Sequence, residues 1–209
     1  MRSITAALTL AALSTTALAG VRVDLFVFEN QDSVPTGNID IWVDVVDNGS
    51  TIDFVWHNDS TEAANLTSIY IENSNAAGLL SNANIMNVAG VQYSSSATPP
   101  NPAGSIQFFG GAWQGNIFSA DPDTPQPNVN AINPGESLTT RFDYSGGLTY
   151  QMVIDSLLDP DFPTAFRLAG HVQGIGAGDS SIWVVSPAPG SAGLLAGAAL
   201  LGARRRRRH

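Results

Sequence analysis

Chemistry needs side chains that can carry a proton, attack a carbon or grip an ion. Apart from the C-terminal His209, the histidines of this 209-residue chain are His57 and His171. Nucleophilic catalysis by serine needs a base beside the hydroxyl. No serine here lies in a Gly-x-Ser-x-Gly turn. There is no His-Glu-x-x-His pair to hold zinc, and the two histidines lie far apart in the chain. The chain has no cysteine, which removes disulfides, thiolate ligands and cysteine nucleophiles. All nine basic residues are arginine, so lysine Schiff bases and phosphate-loop lysines are absent too. These residue types predict a protein that is not an enzyme.

Oxygen ligands and aromatic rings offer binding chemistry instead. Calcium takes carboxylates from loops. The two Asp-Pro-Asp segments supply Asp121 and Asp123, then Asp159 and Asp161, although neither has the spacing of an EF-hand. Asp before Pro is also a common turn signal. Sugars stack on flat aromatic faces, with Asp or Asn nearby to bind hydroxyls. Trp42 shares a strand face with Asp40 and Asp44, and Trp113 follows Gly110-Gly111, so these two are the candidate sugar platforms. The segment 20–186 holds three arginines against all eighteen carboxylates, a formal charge of −15. Such a body repels the phosphate backbone and should bind no nucleic acid.

The elements that position these residues are strands. Ile39, Ile41, Val43 and Val45 alternate with Asp40, Trp42 and Asp44. Asp47-Asn48-Gly49-Ser50 is a turn signal, and Ile52, Phe54 and Trp56 then alternate with Asp53 and His57. This predicts a hairpin with one buried face. Further strands are predicted at 21–28, 66–72, 85–93, 105–109, 138–144, 166–173 and 181–185. The stretches 94–104 and 119–135 read as loops rich in Ser and Pro. Residues 148–158 predict a short helix that packs through Met152, Ile154, Leu157 and Leu158. The alternation of Arg167, Ala169, His171 and Gln173 reads as a wet strand face. About nine short strands separated by Gly, Pro, Asn and Ser clusters predict an all-β fold. The expected architecture is an antiparallel β-sandwich, Ig-like or jelly-roll-like, with one short helix.

The two ends read as addresses. Arg2 precedes an apolar run from Ile4 to Leu13, and Ala17-Leu18-Ala19 is a small-x-small cleavage site. Residues 1–19 are therefore expected to be a signal peptide, with Gly20 as the mature start. At the other end stand Pro187-Ala188-Pro189, then the uncharged stretch Gly190–Ala203, then Arg204, Arg205, Arg206, Arg207 and Arg208. Fourteen residues as a helix span about 21 Å at about 1.5 Å each, short of the roughly 30 Å hydrocarbon core. That length suits transient residence in the inner membrane, with the arginines held on the cytoplasmic side.

This tripartite tail, 187–209, resembles the PEP-CTERM sorting signal of Gram-negative bacteria. The shared features are the Pro-x-Pro motif, the short apolar helix and the arginine cluster. Where the family usually has glutamate between the prolines, this chain has Ala188. The resemblance implies export by the secretion machinery and processing near Pro187–Pro189 by an exosortase-type membrane protease. It also implies a destination at the cell surface or in extracellular matrix, with a link to exopolysaccharide. A second expectation stays open: a carbohydrate- or calcium-binding β-sandwich tethered at the envelope, with no other cofactor.

Overall fold

The computed structural model describes residues 20–29, 33–72, 78–102, 112–124, 127–159, 165–176 and 180–186. Its chain order is β1 (Val21–Glu29), β2 (Ile41–Asp47), β3 (Thr51–Asn58), β4 (Asn65–Glu72), β5 (Leu80–Met86) and β6 (Tyr93–Ser95). There follow β7 (Asn116–Pro122), the single turn α1 (Pro127–Asn130), β8 (Glu136–Tyr144), α2 (Tyr150–Leu158), β9 (Leu168–Ile175) and β10 (Ser180–Val185). The all-β, antiparallel expectation holds: ten strands join in the order β5-β8-β3-β2-β1-β10-β9-β4-β7-β6.

The predicted β2–β3 hairpin forms in register, with Val43 opposite Trp56 and Val45 opposite Phe54. Its turn works because Gly49 takes φ +82°, a conformation costly for a side-chain-bearing residue. Asp47 Oδ1 accepts the Gly49 N–H at 2.9 Å. Ile41, Val43, Val45, Ile52, Phe54 and Trp56 all face inward and are buried.

Strand β1 folds the sheet into two layers. Its first half, Val21–Leu25, pairs with β2, and Phe26–Glu29 pairs with β10 across a register shift. A bulge of this kind bends a strand and lets it pass from one layer to the next. The layers meet through Phe118 of β7, which stands edge-on to Phe142 of β8 at 5.4 Å. At the open side, the Asn87 carboxamide closes the seam. It accepts the Tyr93 N–H at 2.8 Å and donates to the Tyr93 carbonyl at 3.0 Å. A side chain thus replaces a missing strand partner at an edge that would otherwise expose unpaired backbone.

Several expectations change. The predicted strand 85–93 is two strands, because Val88 and Val91 pair across a tight turn with Gly90 at φ +89°. Residues 119–122, read as loop, belong to β7, which pairs with both β4 and β6. Its apolar residues are few, so pairing on both edges holds it in place, and Pro122, with no N–H, falls at its end. The predicted strand 105–109 lies outside the described residues. Helix α2 is capped by Thr149, whose Oγ1 accepts the Met152 N–H. It buries Val153, Ile154 and Leu157, while Leu158 is half exposed. The supposed wet face of β9 is covered around Arg167 and Ala169, both buried. There Tyr70, Ala97, Ala169, Trp183 and Val185 build a small second core, backed by Phe28 and Trp113.

Candidate functional site

The outer face of the first layer carries the first candidate cluster. In register, Asp24 stands opposite Trp42, and Trp42 opposite His57. The His57 ring stacks on Trp42 at 3.8 Å and 9°. The Arg22 guanidinium lies over the Trp42 ring at 4.3 Å, a favourable cation–π position. Arg22 Nε donates to Asp24 at 2.5 Å and its Nη2 to Asp40 at 3.2 Å. Trp42 Nε1 donates to Asp59 at 3.0 Å. Trp42 is therefore flanked by Arg22 and His57, so its expected role as an open sugar platform would require Arg22 to swing away. His57 Nε2 lies 4.0 Å from Asp44 Oδ2. Burial pushes the His57 pKa down; Asp44 and Asp59 pull it up, and Arg22 adds to the lowering.

A second cluster occupies the outer face of the other layer. Arg167 makes a two-pronged pair with Glu72: Nε to Oε2 at 2.7 Å and Nη2 to Oε1 at 2.5 Å. Both residues are buried. Glu72 Oε1 also accepts the Gln114 N–H at 3.0 Å, and Arg167 Nη2 donates to the Ala112 carbonyl at 3.2 Å. The Arg167 guanidinium sits 5.4 Å from the Trp113 ring centre. Trp113 Nε1 donates to Asn116 Oδ1 at 2.8 Å. The second proposed sugar platform is thus packed against the fold and partly covered.

His171 stacks on Trp183 at 4.2 Å and 10°, and burial lowers its pKa to about 4. Ser68 stands opposite His171 in the β4–β9 register, yet its hydroxyl engages Asp121 and Tyr70. The two histidines occupy outer faces of different layers and do not meet. Each serves as a flat packing partner for a tryptophan.

Two of the carboxylates considered for calcium, Asp121 and Asp123, have protein hydrogen-bond partners. Asp121 Oδ2 accepts the Thr98 N–H at 2.5 Å, and Asp123 Oδ1 accepts the Ser94 hydroxyl at 2.5 Å. Burial raises the Asp121 pKa, opposed by Ser68 and the Thr98 N–H. Asp159 caps the C-terminus of α2, its N–H donating to the Asp155 carbonyl. Asp161 lies outside the described residues. Among the described residues no three metal-binding side chains converge.

The three body arginines all have carboxylate partners: Arg22 with Asp24 and Asp40, Arg141 with Asp53, and Arg167 with Glu72. The Glu72–Arg167 and Asp53–Arg141 pairs are not legible in the sequence. Their only sequence signal is an acid and a base on the outward positions of separate strands.

The remaining candidates are the two expected processing sites, which border the described strands β1 and β10. Val21, one residue after the expected cleavage point, opens β1 opposite Val45. At the far end, Ser186 is buried; its N–H donates to the Leu168 carbonyl at 2.8 Å and its Oγ accepts the Leu168 N–H at 3.0 Å. Ala17, Ala19, Pro187, Ala188, Pro189 and Arg204 to Arg208 lie outside the described residues. No helix among the described residues is long and apolar enough to cross a membrane. No family model, no curated protein and no solved structure matches this chain.

Proposed function

We propose that this is a non-enzymatic exported protein that is trimmed at both ends and delivered to the cell surface or extracellular matrix. Delivery uses the general secretion machinery and then an exosortase-type protease acting near Pro187–Pro189. The observation that carries this reading is how close the outermost described strands, β1 and β10, lie to the two expected processing sites. Among the described residues, the first strand opens at Val21, and Ser186, just after β10, donates its N–H to the Leu168 carbonyl. These points abut the two expected processing sites. Cutting at Ala19 or beyond Ser186 leaves every described strand whole. Cutting inside β10 would remove a strand paired on both sides.

The charge distribution fits the same route. Loss of the tail removes five arginines and leaves a body of formal charge −15. Its arginines all engage its own acids, so the released body is acidic and self-repelling, suited to a dispersed life outside the cell. Association with exopolysaccharide at that destination is part of the proposal and rests on the tail resemblance.

Intact mass of the protein recovered from the envelope and medium of its native host tests the reading. The expected species begins at Gly20 and ends between Ser186 and Pro189, with or without an added glycan or lipid there. A species that keeps Arg204–His209 overturns it and makes the tail a plain membrane anchor.

A further inference from the structure

Gly20 lies unusually close to β2. A Cβ on Gly20 would meet Val46 Cγ2 at 3.0 Å, the Val45 carbonyl at 3.3 Å and the Asp44 carboxylate carbon at 3.5 Å. The Gly20 nitrogen is about 2.5 Å from that Cβ position, so it falls within about 6 Å of the Asp44 carboxylate. In a precursor that nitrogen is an uncharged amide. Once the bond after Ala19 is cut, it is an ammonium.

We infer that Asp44 is a preset carboxylate for the α-ammonium that signal-peptide cleavage creates at Gly20. This rests on the cleavage site proposed above. The cleavage is simple hydrolysis: water adds across the Ala19–Gly20 amide, Ala19 leaves as a carboxylate and Gly20 as an ammonium. A new charge appears, one residue before β1, the strand that ties the two layers together.

The neighbourhood leaves Asp44 available for this role. Arg22 is opposite Asp44 in register, but its guanidinium is held by Asp24 and Asp40. From β3, His57 approaches Asp44 only to 4.0 Å, and its burial favours the neutral ring. From α2, Tyr150 donates its hydroxyl to the Val45 carbonyl on the same stretch of β2. The side chain of Asp44 is 34% exposed, which moderates the attraction without removing it. The physical consequence is directional. The precursor, which must stay threadable during export, lacks this contact, and the cleaved protein has it.

The test exploits an unusual composition. The chain contains no lysine, so the α-amine is the sole primary amine of the mature protein. The exported protein and its Asp44→Asn variant are recovered, their start is read by mass, and both are labelled with acetic anhydride across a pH series. An ammonium paired with Asp44 titrates above the free α-amine range. At pH 7 a rise of about half a unit makes the wild type label about three-fold more slowly than D44N. A second measurement needs no variant: in 1 M NaCl, where screening falls to about 3 Å, the wild-type rate should rise toward that of D44N. A protein that begins elsewhere overturns both the cleavage site and this inference. A protein that begins at Gly20 but labels at the same rate as D44N, at low and high salt alike, overturns the ion pair alone and leaves the export reading intact.

Discussion

Replacing Glu72 with methionine should be among the most damaging single changes in this protein. The Glu72 and Arg167 side chains are 3% and 5% exposed, and two short hydrogen bonds join them. Opposite charges about 4 Å apart attract by about 4 kcal/mol at an effective dielectric near 20. Removing one partner strands the other charge away from water, a loss of about 3–5 kcal/mol. E72M and R167M should each cost about 4 kcal/mol. The double variant E72M/R167M should cost far less, about 1 kcal/mol, because no charge is left buried. Two groups that it releases, the Gln114 N–H and the Ala112 carbonyl, belong to exposed residues and can turn to water. Urea unfolding followed by far-UV circular dichroism measures all three; tryptophan emission is avoided because Arg167 lies against Trp113. Constant denaturant slopes validate the comparison. A single variant that costs under about 1 kcal/mol would place the pair among ordinary surface pairs. A double variant equal to the sum of the singles would equally refute the reasoning.

Three further outcomes follow from other sites. His171 is held neutral down to about pH 4 in the fold but takes a proton near 6.5 when unfolded. Its contribution is therefore intact above pH 6.5 and is lost as pH falls from 6.5 to 4, by about 2 kcal/mol given its partial exposure. H171F, which keeps a ring against Trp183, should flatten that part of the stability–pH curve; an unchanged slope would exclude His171 as its source. Asn58 is fully buried, donates to the Ala64 and Ile132 carbonyls at 2.6 and 2.8 Å and accepts the Ser60 N–H. N58A should lower stability by about 3 kcal/mol, seen as a reduced urea midpoint at constant slope. R22A should cost under about 1 kcal/mol, since the ion pairs it breaks are exposed. It should nonetheless increase acrylamide quenching of tryptophan emission by uncovering Trp42, and unchanged quenching would contradict the cation–π stack.

Local patterns in the sequence determined most of the strands, the β2–β3 turn and the short helix. Alternation of apolar residues needs only neighbours in the chain, and Asn48-Gly49 carries its own turn preference. The same is true of the proposed export signals, which are linear and are read before any folding. Tertiary structure decided the rest. β7 is a strand because β4 and β6 flank it, and its own residues gave little sign of that. Glu72 and Arg167 meet across 95 positions because β4 and β9 pair in one register. Trp42 looked like a free sugar platform because a strand pattern shows which face a side chain takes. It does not show what the neighbouring strands lay over that face, and here Arg22 and His57 cover the ring. Pair registers and layer contacts are set by the packing of the whole sheet, so the chemistry of each outer face became visible only once the strands were side by side.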